Sequence, residues 1–378
     1  LAVCDVDRWR RDDAKATVEA AYAERPPAGS YRGCETYTDL RDLLARDDID
    51  AVVIATGDRW HALATVLAAR AGKDIYCEKP TCLTVRQALA MIDEVHRYGR
   101  VFQTGLQQRS SAQFRKACAL VQTGAIGRVR MVYVGFPGTS EHVMLPPELV
   151  PDGLDWDLWL GPAPWRPFNG RYHIYGRPPR VVPWHFTRDF GGGNLTSNTV
   201  HAFDIVQWGL GMDGSGPVRI EPPETGRVPS LTYTYPGGVR CQVTWHLEEG
   251  KHEIPSGWDP KTRIQNFGAL FVGDEGWIHV GRRGYLTAHP ASILQEPPAE
   301  ARHSVTPHHQ DWLNCIRTRG RPVADAVKGC GSTIVAHLGC IAHWTGRALD
   351  WDPQRHVFPG DAEANRRLFR PMRSPWTL

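Results

Sequence analysis

The residues able to do chemistry stand in a few short polar segments. Glu78-Lys79-Pro80 closes the run Asp74-Ile-Tyr-Cys77. Proline fixes a turn and pushes the residue before it towards extended geometry, which aims the Lys79 ammonium out of the strand end. A free lysine titrates near ~10.4, so Lys79 reads as a hydrogen-bond donor rather than a base. A surface lysine paired with Glu78 is the bland alternative. His201 has the other useful chemistry, because an imidazole pKa near ~6.5 suits proton exchange at neutral pH. Val200, Phe203, Ile205 and Trp208 surround it in sequence, so a core histidine is the competing reading. Asp5, Thr56-Gly57-Asp58 and Gly105 through Arg109 complete the set.

These segments follow apolar runs that alternate with helical patterns. Leu1 to Cys4 is a short strand, and a helix follows through Ala23. Asp39 opens a short helix carrying Leu40, Leu43 and Leu44. Ala51 to Ala55 is a continuous apolar run, as in a strand buried on both faces. Helix returns from His61 to Ala71. Thr84 starts another, with Gln87 completing a capping box and Val85, Ala88, Leu89, Ile92 and Val95 on one face. A last strand begins at Val101. Such alternation predicts a parallel sheet covered on both faces, with ligands beyond the carboxyl ends of its strands. All four polar segments lie at those ends.

Composition narrows the class. The 378 residues suggest two domains. A formal net charge of +3 is too balanced for a chain that coats nucleic acid or an anionic membrane. No apolar run approaches the ~18 residues of a membrane span, and no signal peptide is visible. Nine scattered cysteines without a C-x-x-C pair read as reduced thiols, so a cytoplasmic location is expected, or an exported form if a leader lies upstream. Adjacent His308 and His309 have no carboxylate cluster with them, so no metal site is expected.

Beyond residue 107 the pattern changes. Leu231 to Trp245 reads as a hairpin by its period of two, turning at Pro236-Gly-Gly238, and Ala269 to Val280 as a second one. Pro137 to Pro183 is rich in proline, glycine and aromatics, which suggests a long functional loop or lid. Helix pattern returns from His308 to near Leu349.

Taken in order, several segments resemble the glucose-fructose oxidoreductase, inositol dehydrogenase and rhizopine-catabolism (Gfo/Idh/MocA) superfamily. They are Ala2 to Asp7, Asp50 to Thr56 with Trp60-His61, Ala71 to Pro80, Gly191 to Leu195, and His201 to Asp204. Gly153 to Gly161, His308 to Arg321 and Trp351-Asp-Pro353 look similar too. The resemblance implies an α/β Rossmann-type dinucleotide-binding domain over 1–107 and an α+β domain with an open, mainly antiparallel sheet over 108–378. It also implies NAD(P)-dependent hydride transfer at a carbon of a sugar, sugar derivative or cyclitol, and assembly as a homo-dimer or homo-tetramer. The first strand and its G-x-G-x-x-G turn are expected upstream of Leu1, as in an N-terminally truncated record.

By the same resemblance Asp5 binds ribose hydroxyls, which favours NAD, while Arg8 and Arg10 leave NADP open. Thr56, Gly57 (proline in many relatives), His61, Glu78, Lys79 and Gln107 line the cofactor. Helix capping is the alternative for His61, and loop structure for Gln107 and Arg109. Lys79 holds the reacting hydroxyl, and His201 exchanges its proton. Relatives usually carry Asp where this chain has Ser197, so Asp204 either orients His201 or holds the helix. Trp184, Arg188, Ser197 and Asn198 join Lys79 and His201 on the substrate side. His185 stands next to Trp184, and Trp156, Trp159, Tyr172 and Tyr175 crowd the lid as stacking faces or core. Two alternatives stay beside the dehydrogenase. One is an NAD-dependent, redox-neutral glycoside hydrolase, and the other is a non-catalytic sugar-binding or regulatory relative.

Overall fold

The computed structural model describes residues 1–23, 33–173, 184–223, 230–295 and 306–378. Parallel strands occupy the first part. β1 (Ala2–Cys4) pairs with β2 (Glu35–Tyr37), and β3 (Ala51–Ile54), β4 (Asp74–Cys77) and β5 (Phe102–Thr104) form a second group with β4 in the centre. Helices α1 (Arg8–Ala23), α2 (Leu40–Leu44), α3 (Asp58–Arg70) and α4 (Val85–Arg97) alternate with them.

Local capping sets several boundaries as the sequence predicts. Asp39 accepts from Arg41 N at the start of α2, and Thr84 Oγ1 accepts from Gln87 N at the start of α4. The Gln87 side chain reaches Leu83 N rather than Thr84 N, so the capping box is one residue offset. β4 is buried throughout, as an interior strand must be. β3 is not. Val53 is 61% exposed and only Ile54 is buried, because β3 pairs with β4 alone among the described residues.

The second part is an eight-stranded mixed sheet, ordered β12-β11-β10-β6-β9-β8-β7-β13. Its strands are β6 (Val129–Val134), β7 (Arg219–Glu221), β8 (Thr232–Thr234), β9 (Arg240–Val243), β10 (Ala269–Gly273), β11 (Trp277–Val280), β12 (Leu286–His289) and β13 (Leu349–Asp350). Only β6 and β9 run parallel, and both predicted hairpins are present. The period of two sorts β6 cleanly. Val132 and Val134 enter the main core, whereas Met131 and Tyr133 face a smaller one with Leu247, Trp258 and Ile264.

Helices α5 (Ala112–Gln122), α7 (Val200–Gly209) and α9 (Ala326–Thr345) cover the inner face. The late helical segment is two helices. α8 (His308–Thr318) ends at Arg319 in the left-handed conformation, and α9 starts after an Asp325 cap. α9 also reaches the first part, where Thr333 Oγ1 lies 3.1 Å from Thr81 Oγ1. His308 is structural, its two ring nitrogens meeting Ser110 Oγ and the Thr104 carbonyl.

The expected lid is ordered where it is described. Trp156, Trp159, Phe168 and Tyr172 build a small core of their own with Phe190 around α6 (Trp156–Leu160). Tyr175 lies outside the described residues. α6 docks on the start of α3, where Trp60 Nε1 donates to the Leu158 carbonyl at 2.9 Å. Gly161 closes α6 at φ 53°, and a Cβ there would run into the Trp60 indole. Among the described residues no helix is long and apolar enough to cross a membrane. All nine cysteines are free.

Candidate active site

The carboxyl ends of the parallel strands β3, β4 and β5 open in one direction, and the turn before α7 meets the end of β4 from the second part. The segment Leu195–Thr199 ahead of α7 is a π-helical turn, a feature often found at functional sites. Lys79 Nζ donates to the Ser197 main-chain carbonyl at 2.7 Å. Lys79 therefore reaches the turn that leads into the His201 helix, close enough for its charge to act on His201.

Burial lowers the Lys79 pKa and Arg282 adds to this, while Asp58 and Glu78 oppose it. Burial, Lys79 and Arg282 hold His201 well below its ordinary value, so its imidazole is neutral at pH 7. Its Nδ1 is buried without a hydrogen-bond partner. The Phe267 ring stands edge-on to it at 5.5 Å. His185 belongs to this site too, pushed down to about 4 by burial and by Lys79. Asp58, the first residue of α3, is pushed up to about 7 by burial, with Lys79 and Arg59 opposing.

Glu78 anchors the turn. Its Oε1 accepts from Gln107 Nε2 at 3.3 Å, and its Oε2 from Lys79 N at 3.3 Å. Gly105 admits that carboxylate, since a Cβ there would lie 2.6 Å from Glu78 Oε1. Thr56 is exposed beside Gly57, the N-cap of α3. A Cβ at Gly57 would collide with the Arg59 guanidinium, which stacks 3.6 Å over Trp159 and approaches Trp184. Asp5 is half-buried at the end of β1, and its Oδ1 accepts from Asp7 N.

Several expected contacts fall elsewhere. His61 is 1% exposed, with Nδ1 2.6 Å from the Pro80 carbonyl and Nε2 2.9 Å from the Thr56 carbonyl, and the neutral ring donates to one of the two. It ties two strand-end turns together from behind and presents no ring nitrogen to a ligand. The Ser197 hydroxyl donates to Gly193 O, so its carbonyl, not its side chain, enters the site. Asn198 Nδ2 is spent on Asn194. Arg188 stacks on Trp344 and meets His142, in a cluster with Arg370, rather than facing Lys79. Asp204 holds the helix and does not touch His201. It is fully buried against Arg109 and accepts from Ser332 Oγ. Arg109 is thus structural, and it also reaches Asp213.

The site also draws in Asp58, Arg59, Phe267 and Arg282, to none of which the sequence assigned a role. Asp58 had a signal, its place next to Thr56-Gly57. The other three had none, since they join the site only through packing. A separate cavity of about 240 Å³ beside Arg59, lined also by Thr84, Gln87, Asp189 and Arg370, touches neither Lys79 nor His201.

The strand-end row fits the ribose and nicotinamide flanks of a dinucleotide. It offers a half-buried acid at the end of β1, an exposed threonine beside a glycine N-cap, and the partnerless buried Asp58 Oδ2. A parallel α/β unit with this edge, joined to a mixed sheet that supplies a histidine opposite a lysine, defines a two-domain, dinucleotide-binding oxidoreductase. Residues 6–106 match the NAD-binding Rossmann fold of an oxidoreductase family, and residues 134–378 match its C-terminal alpha/beta domain. The chain belongs to the Gfo/Idh/MocA oxidoreductase family.

It is 29% identical to inositol 2-dehydrogenase 4 of Saccharopolyspora erythraea, over 86% of this chain and 83% of that protein. It is 27% identical to 1,5-anhydro-D-fructose reductase of Ensifer adhaerens, over 59% of this chain and only 55% of that protein. The crystal structure of aldose-aldose oxidoreductase from Caulobacter crescentus shares the fold, with a TM-score of 0.60 at 20% identity over 92% of this chain and 90% of that one.

Proposed function

We propose that the protein is an NAD-dependent dehydrogenase or reductase of a sugar, sugar derivative or cyclitol. The observation that carries this reading is the meeting of Lys79 and His201 across one cleft at the strand ends. The relatives point the same way, being named as an inositol dehydrogenase, an anhydrofructose reductase and an aldose oxidoreductase. NAD, when bound, supplies the hydride acceptor.

The chain's own residues do the rest. Lys79 Nζ donates to the oxygen of the reacting C–OH and holds it. The neutral His201 imidazole accepts the hydroxyl proton, and in the reductive direction it returns that proton. Burial around both groups keeps competing water out and strengthens these contacts. Glu78 and Gln107 position the Lys79 turn, and Asp5, Thr56 and Gly57 take the cofactor side. Trp184 and His185 close the cleft on the substrate side. A homo-dimer or homo-tetramer and a reducing, cytoplasmic setting belong to the same proposal, the latter supported by the nine free thiols. A monomeric mass in light scattering would remove the assembly part.

The test is to incubate the full-length protein with NAD and a panel of aldoses, cyclitols and glycosides. Stoichiometric NADH supports a dehydrogenase. Free sugar without net NADH would indicate the hydrolytic variant, and binding without either product a non-catalytic relative.

A further inference from the structure

Arg282 is a site cation that the proposed reaction leaves without a task. It sits in the tight turn joining β11 to β12, where Gly281 N donates to Tyr285 O and Tyr285 N to Arg282 O. Gln113 Nε2 ties the Gly281 carbonyl to α5, so the turn is anchored. The guanidinium lies 3.8 Å over the Phe267 ring, and that ring also meets His201 edge to face at 5.5 Å. Arg282, Phe267 and His201 thus form a stack that ends at the reacting hydroxyl.

Two further observations mark the stack as built. Phe267 is held at φ 59°, a conformation rare for a bulky residue, and such strain gathers at functional sites. Its carbonyl accepts from Gln108 Nε2, and the Phe136 ring packs against it at 4.9 Å. Arg282 itself is exposed and has no carboxylate partner among the described residues. The nearby acids have other tasks. Glu78 is bonded to Gln107 and its own turn, and Asp58 faces Lys79 and Arg59. An exposed guanidinium without a carboxylate partner, resting on the ring that contacts His201, is open to pair with an anion of the ligand.

Resting on the dehydrogenase reading, we propose that Arg282 is the specificity-determining residue of the site and that the substrate is a sugar acid. Its carboxylate pairs with Arg282, while its reacting hydroxyl lies between Lys79 and His201. Phe267 keeps the planar guanidinium aimed, and it offers an apolar edge to the C–H side of the sugar.

The experiment is calorimetric titration of the full-length protein with hexuronates and aldonates, against D-glucose and myo-inositol, with NADH production measured in parallel. Acids bind more tightly than the neutral probes. Arg282→Met weakens acid binding about 10- to 100-fold and brings the acid-over-neutral preference close to one, and Arg282→Lys restores part of it. The proposal is overturned if no acid is preferred, or if glucose 6-phosphate binds more tightly than any acid. It is also overturned if Arg282→Met weakens acids and neutral sugars alike, or weakens NADH binding instead. Arg282-dependent acid binding without any NADH would leave this assignment standing and remove the dehydrogenase reading.

Discussion

Lys79 Nζ donates a 2.7 Å hydrogen bond to the main-chain carbonyl of Ser197, across 118 residues of sequence. The bond joins the turn after β4 to the π-helical turn before α7, and so joins the two parts of the molecule at their cleft. It also fixes where the ammonium rests before a substrate hydroxyl arrives. Ser197 does this through its backbone, so the link needs no particular side chain at this position.

Lys79→Met removes the donor and leaves most of the side-chain volume. kcat/KM falls by about 10²- to 10⁴-fold, the range for losing one positioned donor or acid–base group. Thermal unfolding measured alongside moves only slightly, because a costly buried charge disappears with the bond. Unchanged turnover would remove Lys79 from the mechanism.

His201→Asn lowers oxidation by a similar factor. In the unsubstituted protein the pH profile carries the sharper signal. A base must be neutral, and burial, Lys79 and Arg282 hold His201 well below its ordinary pKa. Rate is therefore retained as pH falls through 6.5 and is lost only at more acid values. A limb at the ordinary histidine pKa would mean that another group is the base.

The buried histidines make folding acid-sensitive. Burial pushes His61 and His337 down to about 4 and His279 to about 3. Between those values and ~6.5 the unfolded chain binds protons that the native chain refuses, so stability falls as pH falls. Each such group contributes up to about 1.4 kcal/mol per pH unit across that window. Urea unfolding at pH 7 and pH 5 measures it, and equal stabilities would contradict the buried neutral rings.

Asp58 acts in the opposite sense. Burial raises it from 3.8 to about 7, so the native form holds a proton that the unfolded chain releases, and stability falls as pH rises through that window. Asp58→Asn removes the burden. The variant gains about 1–3 kcal/mol over the unsubstituted protein at pH 8 and little at pH 4. Chemical denaturation at the two pH values decides, and no gain at pH 8 would mean that the carboxylate is solvated.

Asp204→Asn is a stability variant, not a mechanistic one. It uncovers Arg109, which is 3% exposed and bonded to Asp204 through Nε and Nη2. Breaking a buried pair costs up to about 3–5 kcal/mol, and less here because Asp213 still faces the guanidinium. The midpoint of unfolding drops accordingly, while the pKa of His201 read by NMR in the folded fraction stays where it was. A shifted His201 titration would restore an orienting role to Asp204.

Much of the frame is legible in local pattern. The apolar run at β4 followed by Glu78-Lys79-Pro80 shows where a strand ends and which side chain leaves it. The period of two across Leu231–Trp245 and Ala269–Val280 shows both hairpins, and Asp39 and Thr84 show two helix starts. These signals depend only on residues a few positions apart, so no tertiary knowledge is needed to read them.

What those patterns leave open is which face meets solvent and which distant segments meet each other. His61 and Arg188 have the chemistry of ligands, yet packing turns His61 onto two carbonyls and carries Arg188 to Trp344. Asp204 stands three residues from His201, yet it pairs with Arg109 from another element. Arg282 comes from the β11–β12 hairpin turn and Phe267 from the turn ahead of β10, with no motif to announce either. The sequence by itself determined the strand ends, the helix caps and the identities of Lys79 and His201, because covalent neighbours and side-chain period decide those. Tertiary structure alone decided which polar groups lose their water and which charges share the cleft, because desolvation and Coulomb energy depend on distances that folding creates.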